Sequence, residues 1–272
     1  MKLFELSSNV KRISSEVPED DFLKLLKGEA RNAYDAIKRQ PIYTKVETKD
    51  PFFVVDPSKA SHKSKFIIDS LTPLLPSWRG WKSRLECVRG WTSKALAESR
   101  GAGSLCLLIP IDGARVHVAT SGSFYRSFEK AHKLFEVEKI DNEALCDWLK
   151  SVHTVAKLAA PDDVGSFVEP ETAQQLIREL EKLDKHRTAV SKLKEDELKQ
   201  VERIDVRRAF SAYKQKNLVE GLSRLLDPDD NGMNTFTSLY NLPGDREIWT
   251  GSKCLVIKLE EYEAMHKRGV VK

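Results

Sequence analysis

The sequence predicts an α+β fold in which a β-sheet domain is interrupted by a helical insertion. Short runs rich in β-branched and aromatic residues occur in the first half of the chain and again between residues 246 and 259. Between them, residues 171–226 are highly charged and carry only narrow apolar stripes at helical spacing. We therefore expect a sheet core with flanking helices, formed by residues 1–160 and completed by residues 227–272, and a charged helical insertion at residues 161–226.

The composition indicates a globular protein with an ionic surface. Of 272 residues, 40% are hydrophobic and 32% are charged, which is enough apolar surface for a packed core. The 45 basic and 41 acidic residues leave a net charge of +4 and alternate along the chain, whereas a nucleic-acid binder more often concentrates its basic residues. A nucleic-acid-associated protein is therefore the weakest of the three functional hypotheses that we consider. A steep salt dependence of DNA or RNA binding would favour it.

Targeting and metal-binding patterns are lacking in the sequence. The first residues carry no apolar signal region, and no apolar run reaches the length of about 18 residues that a membrane span needs. We therefore expect no membrane contact and a location in the cytoplasm, in an infected host cell or in a virion if the protein is viral. The four cysteines, Cys87, Cys106, Cys146 and Cys254, are scattered, which predicts buried reduced thiols and not a zinc site or a disulfide framework.

Residues 227–232 resemble the first half of a calcium loop. Ser238 stands at the position where such a loop needs a bidentate glutamate. A polar turn is the favoured interpretation of this segment.

Periodicity and turn residues predict the individual elements. An amphipathic helix over residues 18–39 begins at Pro18 and ends before Pro41. Strands are predicted at 42–46, 52–55, 85–93, 104–109, 115–118, 246–249 and 253–259, with helical segments at 94–99, 124–158 and 260–267. Residues 64–75 fit either a helix or a strand. The turns at Asp112–Gly113 and at residues 250–252 each predict a β-hairpin between the strands beside them.

A distributed set of motifs carries a family resemblance. Trp91-Thr92-Ser93 ends a predicted strand, and Asp245-Arg246-Glu247 begins another far downstream. Together with residues 75–84, 104–118 and 123–128, their order resembles ADP-ribosyltransferases of the Arg–Ser–Glu class, in a branch that bacteriophages encode. These pieces cover about half of the chain, and their order is the evidence.

The resemblance implies a split β-sheet core and a reaction that uses NAD as a substrate. Cleavage of the bond between nicotinamide and ribose gives an oxocarbenium-like species, which a carboxylate beneath the ribose stabilises. Glu247 would supply that carboxylate, and the hydroxyl of Thr92 or Ser93 would orient it. Asp245 would help to choose the acceptor nucleophile, since residues two apart share one face of a strand.

The resemblance also indicates which side chains would bind NAD. The family has an arginine after an aromatic residue on its first strand, but here Thr44 follows Tyr43. Lys45, Arg84 or Arg89 would then bind the diphosphate, although lysine lacks the planar fork of arginine. Trp91 or Trp249 could stack on a base or ring, and each fits a core aromatic equally well. The acceptor would be a macromolecule of the host or the virus, and a protein is favoured.

A second hypothesis is a catalytically inactive member of the same fold. Asp245 stands where the family usually has glutamate or glutamine, and Trp91 replaces the first serine of a Ser-Thr-Ser motif. Such a protein would serve in binding or as a structural component of a bacteriophage particle. The charged block at residues 171–226 would then contact the partner.

Overall fold

The computed structural model describes residues 14–59, 64, 66–100, 102–194 and 209–271. These form a mixed α/β structure, as the sequence predicts, with two compact units. The sheet unit draws on residues 1–63, 82–124 and 233–272, and the helical unit on residues 64–81 and 125–232. Each unit is described separately below.

The sheet unit contains a single antiparallel sheet among its described residues. Its strands are β1 (Ser14–Glu16), β2 (Tyr43–Val46), β3 (Phe52–Val55), β4 (Val88–Trp91), β5 (Ser104–Pro110), β6 (Val116–Val118), β7 (Asn234–Phe236), β8 (Glu247–Thr250) and β9 (Cys254–Lys258). Their spatial order is β1-β3-β9-β5-β2-β4-β8-β6-β7. The last two strands along the chain, β8 and β9, therefore lie inside the sheet and not at its edge.

The described α-helices are α1 (Glu19–Gly28), α2 (Arg31–Arg39), α3 (Ile67–Leu71), α4 (Lys94–Glu98), α5 (Glu129–Phe135), α6 (Asn142–Ala159), α7 (Ala173–Asp184), α8 (Arg187–Val190), α9 (Leu218–Leu225) and α10 (Leu259–Lys267). Helices α1, α2, α4 and α10 belong to the sheet unit and the others to the helical unit. Short 3-10 helices span Pro57–Lys59, Thr72–Leu74, Pro76–Trp78, Arg84–Glu86, Phe124–Arg126 and Ser211–Lys214.

The helix predicted over residues 18–39 is two helices, α1 and α2. The break between them is stabilised by Asp112, whose carboxylate accepts hydrogen bonds from the backbone N–H groups of Asn32 at 3.2 Å and Ala33 at 2.8 Å. These bonds satisfy donors that the first turn of a helix leaves free. The cap comes from a residue far along the chain, so the continuous apolar periodicity gave no sign of the break.

Both predicted hairpins are wrong, because neither pair of consecutive strands is paired in the sheet. Strand β5 lies between β9 and β2, whereas β6 lies between β8 and β7. Strand β8 lies between β4 and β6, and β9 between β3 and β5. Strands β6, β8 and most of β5 and β9 are buried on both faces. A strand buried on both faces is typical of the interior of a sheet, where it needs a neighbour on either side.

The helical unit extends beyond the predicted insertion. Its helix α6 begins at the predicted N-cap Asp141, whose carboxylate accepts from the backbone N–H of Ala144 at 3.2 Å. Helix α6 buries an apolar stripe and packs against α7 and α8. Helices α7 and α8 of the charged block thus pack against α6, a helix that the sequence analysis assigned to the sheet core. Residues 195–208 of the predicted insertion lie outside the described residues.

Two other expectations concern burial and length. All four cysteines are free and buried, as predicted, and burial raises the pKa of Cys87 and of Cys106 to about 12. Among the described residues, we find no helix with the length and apolarity that a membrane span requires.

Gly90 offers a direct test of how tightly the middle of the sheet is packed. A Cβ atom there would lie 2.9 Å from both Ile42 Cγ2 and the Tyr43 carbonyl oxygen. We expect Gly90→Ala to lower the free energy of unfolding by about 2 kcal/mol, because a packed backbone cannot move aside cheaply. Gly28→Ala is the matched control, since its Cβ would meet nothing within 4 Å. Urea unfolding measures both, and equal stabilities would contradict this packing.

Candidate functional site

The three strands that carry the predicted motifs lie side by side. Strand β4 is hydrogen-bonded to β2 on one side and to β8 on the other. Tyr43 is directly opposite Trp91, and Trp91 is directly opposite Glu247. These three residues form one row across the sheet, which we call the motif row.

Glu247 begins β8 and is only 4% exposed. Its Oε1 accepts a hydrogen bond from Arg84 Nη2 at 2.5 Å, and its Oε2 accepts from the backbone N–H of Phe124 at 2.9 Å. Both side chains of the ion pair are buried, with Arg84 2% and Glu247 6% exposed. Each carboxylate oxygen therefore has an internal partner, as a buried charge requires.

Aromatic rings surround this ion pair. The guanidinium carbon of Arg84 lies 4.1 Å from the centroid of the Phe124 ring. That ring meets Trp249 edge-on, with centroids 5.5 Å apart and an interplanar angle of 84°. Arg84 begins the 3-10 helix Arg84–Glu86. Ser83 caps this helix, because its Oγ accepts a hydrogen bond from the backbone N–H of Leu85. Cation–π contact and the cap fix the guanidinium in position.

Thr92 and Ser93 were predicted to orient the Glu247 carboxylate, and the structure places their hydroxyls elsewhere. Thr92 Oγ1 donates to the Pro243 carbonyl at 2.8 Å and accepts from the backbone N–H of Arg246 at 3.0 Å. It thereby secures the turn that leads into β8. Ser93 is half-buried at the N-cap position of α4, where its side chain makes no capping hydrogen bond.

Asp245 does not share a strand face with Glu247, contrary to the prediction. The strand begins at Glu247, and Asp245 lies before it in an exposed turn with φ of 52°. Period-two alternation applies only within a strand, so it does not relate these two carboxylates. The left-handed backbone at Asp245 turns the chain instead.

Of the three predicted diphosphate ligands, only Arg84 contacts Glu247. Lys45 lies on β2, and its Nζ donates to the Glu98 carbonyl at 3.4 Å. Arg89 is half-buried on β4, directly opposite Trp249. Tyr43 is half-buried too, and burial is the first cause of its raised pKa, followed by the charge of Glu263. Lys45, Arg89 and Tyr43 share the sheet face of the motif row.

The sequence analysis missed His117. This residue is on β6, directly opposite Trp249 of β8. Its Nε2 accepts from the backbone N–H of Lys82 at 3.3 Å, and its Nδ1 lies 2.8 Å from Thr235 Oγ1. An acceptor Nε2 puts the proton of the neutral ring on Nδ1, which then donates to Thr235. Burial, and secondarily the charge of Arg115, lowers the pKa of His117 to about 4. No spacing in the sequence linked this histidine to Lys82 and Thr235.

Glu247 and Thr92, two residues that the resemblance assigned to the reaction with NAD, already have hydrogen-bond partners inside the protein. The two oxygens of Glu247 are bonded to Arg84 and Phe124, and the Thr92 hydroxyl is bonded to the turn at residues 243–246. Because Glu247 is only 4% exposed, a ribose hydroxyl could reach its carboxylate only if the packing around it opened. Within the described residues, no group of three or more His, Cys, Asp or Glu side chains could hold a metal ion.

Comparison with family models, with curated proteins and with solved structures gives no match for this chain. The functional argument therefore rests on the geometry of the site.

The buried ion pair makes a prediction about stability. We expect Glu247→Gln to lower the free energy of unfolding by about 3 kcal/mol, because the Arg84 charge would stay buried without its counter-charge. Glu86→Gln is the matched control: its ion pair with Lys82 is 52% exposed on both sides and should contribute less than about 1 kcal/mol. Chemical denaturation measures the two losses. If they are equal, the pair does not hold the site together.

The same experiment extends to a double-mutant cycle. Arg84→Met combined with Glu247→Gln should lose clearly less stability than the sum of the two single changes, since the second change removes the charge that the first one strands. Strict additivity would show that the two side chains do not interact.

His117 predicts a pH dependence with a definite sign. Its pKa falls from 6.5 in the unfolded chain to about 4 in the folded one, so the unfolded chain binds a proton that the folded chain refuses. The His117 contribution to stability is complete above pH 6.5 and is lost as the pH falls towards 4, roughly 3 kcal/mol in all. The difference in unfolding free energy between wild type and His117→Gln should shrink over this range. A constant difference would show that His117 titrates normally.

Proposed function

We propose that this protein is a catalytically inactive, ADP-ribosyltransferase-like protein that serves in binding or as a structural component, in a bacteriophage setting. The observation that carries the proposal is the state of Glu247. The carboxylate that the reaction would need is buried, and both of its oxygens have partners within the protein.

The energetics support this role for Glu247. A catalytic carboxylate of this class acts by contact with the ribose, so the ribose must have access to it. Taking Glu247 from Arg84 would leave a buried guanidinium without its counter-charge, at a cost of about 3–5 kcal/mol. Binding of the dinucleotide would have to offset that cost before any chemistry began.

The rest of the motif row also serves packing. Trp91 is 3% exposed and lies between Tyr43 and Glu247, where the family would place a small hydroxyl side chain. A buried indole therefore stands in place of that hydroxyl. The Thr92 hydroxyl is bonded to the turn that precedes β8. These residues of the motif thus have structural partners.

For the binding role we propose contact through the helical unit, with a host or viral protein as the partner. Helices α7 and α9 and the 3-10 helix Pro76–Trp78 border a groove of about 710 Å³. Glu181, Glu220 and Arg224 lie along it, and Glu220 and Arg224 form an ion pair at 2.8 Å. A charged, open groove on short helices suits reversible contact with a protein surface.

A second candidate is an active transferase, and the order of the strands is compatible with it. Strands β2, β4 and β8 are neighbours, so the three motif positions converge in the motif row. The resemblance implies the same arrangement of these three strands in an active enzyme and in an inactive relative. Access to Glu247 distinguishes the two candidates.

NAD turnover by the purified full chain tests the proposal. We expect no nicotinamide release by the wild type over several hours, because the ribose cannot reach Glu247. Glu247→Gln and Glu86→Gln, both confirmed as folded by circular dichroism, should be equally inactive. Release by the wild type and by Glu86→Gln, together with its loss in Glu247→Gln, would replace the proposal by the transferase.

A further inference from the structure

A second groove lies in the sheet unit, away from the motif row. It runs between α1, α2 and the chain at residues 269–271, with a volume of about 550 Å³. This size is in the range of protein sites that take part of a ligand or a few side chains. We call it the basic groove and define it by Leu23, Leu26, Lys27, Arg31, Lys38 and Val270.

The floor of the basic groove is aliphatic. Leu26 is 4% exposed at the bottom, Leu23 is half-buried, and Val270 is 36% exposed at one side. Gly269 brings the chain back across the helices with φ of 70°. An apolar floor in an open groove is stabilised when an apolar side chain covers it.

The rim of the basic groove is cationic. Lys27 and Arg31 are exposed at the end of α1 and the start of α2. Lys38 is bound to Asp35 at 2.6 Å, and the pKa of Asp35 is lowered first by its hydrogen bond to Lys38 and further by the charges of Arg31 and Arg39. The lining of the groove thus carries three cations, Lys27, Arg31 and Lys38, and one carboxylate, Asp35. The surplus of positive charge attracts an anionic ligand.

We propose that the basic groove binds an acidic segment of another protein, one that carries apolar side chains between its carboxylates. The carboxylates would pair with Lys27 and Arg31 at the rim, and the apolar side chains would cover Leu23 and Leu26. The two oxygens of one carboxylate match the planar fork of the Arg31 guanidinium. Apolar anchors flanked by charges are the usual way in which a short segment occupies a groove between helices.

The lining favours a protein segment over a nucleic acid. Recognition of single strands depends on aromatic faces on which bases stack. The only aromatic side chain that the described residues contribute to the groove is Tyr34, which is 8% exposed and has Lys38 Nζ 5.0 Å from its ring centroid. That face is therefore covered, and the remaining floor is aliphatic.

The shape of the groove favours a segment over a lipid surface. Membrane contact requires apolar groups that project outward into the bilayer interface. Leu26 lies at the bottom of a concave site, below the charged rim. A bilayer surface would meet the rim cations and Val270 without reaching Leu26, whereas an inserted side chain reaches it.

This proposal does not rest on the proposed function. It concerns a surface of the sheet unit, whereas the proposed contact with a partner uses the helical unit, and it holds whether or not Glu247 is catalytic. The two proposals can therefore fail separately.

Titration with designed peptides tests the proposal on the full chain. The probe is a fluorescent amphipathic peptide with leucines at positions i, i+3, i+4 and i+7 and glutamates at the remaining positions. One control peptide has glutamine in place of glutamate, and a second has serine in place of leucine. We expect the acidic leucine peptide to bind, its affinity to fall with added salt, and both control peptides to bind more weakly.

The matched protein variants are Lys27→Gln/Arg31→Gln and Lys24→Gln. Lys24 is on the same helix, exposed and paired with Asp21, and it does not line the groove. The double variant should weaken binding by about tenfold, while Lys24→Gln should leave it unchanged. Leu23→Ser should weaken binding independently of salt, which keeps the apolar part of the proposal testable.

Three results would overturn the proposal. The first is equal binding of the peptide by wild type and by Lys27→Gln/Arg31→Gln. The second is no binding of the peptide at all. The third is tighter binding of a single-stranded oligonucleotide or of vesicles with anionic lipid than of the peptide, lost in the same double variant, which would assign the groove to those ligands.

Discussion

The ion pair between Arg84 and Glu247 joins parts of the sheet unit that are far apart in the sequence. One carboxylate oxygen of Glu247 is bound to Arg84, and the other to the backbone N–H of Phe124. The main chain of residue 247 adds two bonds, since its N–H donates to the Ser121 carbonyl at 3.0 Å and its carbonyl accepts from Ala119 N–H at 2.9 Å. The start of β8 is therefore fixed by both backbone and side chain. The Phe124 ring packs against the Arg84 guanidinium and meets the Trp249 ring edge-on, and the pairing with Glu247 keeps this charge tolerable inside the protein.

This constraint also shows how one residue type can serve opposite purposes. A glutamate at the start of a late strand fits a catalytic carboxylate as well as a structural one, because residue order along the chain is the same in both cases. The two roles differ in what reaches the carboxylate in space. Arg84 and Phe124, which belong to other segments of the chain, each donate a hydrogen bond to the Glu247 carboxylate. With these partners the carboxylate lies buried in the sheet unit.

The sequence predicted the existence of most elements and failed on their partners. Local patterns were enough to predict the strands at residues 52–55 and 104–110 and the N-cap at Asp141. Apolar runs and capping residues act over only a few positions. The split of α1 from α2 depends on Asp112, and the failure of both hairpins depends on strands from distant segments that intervene. Long-range pairing is decided by burial on both faces of each strand, which no local pattern reports. The resemblance assigned Arg84 to a diphosphate and did not predict its ion pair with Glu247, and His117 carried no signal at all.

The position of β8 and β9 in the sheet has a consequence for synthesis on the ribosome. Strand β9 separates β3 from β5, and β8 separates β4 from β6. While residues 247–258 remain in the exit tunnel, the earlier strands of the sheet unit have gaps where these two belong. The intervening residues 125–232, which supply most of the helical unit, emerge before the gaps can close. Contacts of such high sequence separation are the slow ones to form. The nascent chain thus has open strand edges until β8 and β9 emerge, and open edges of this kind are where edge-to-edge aggregation begins.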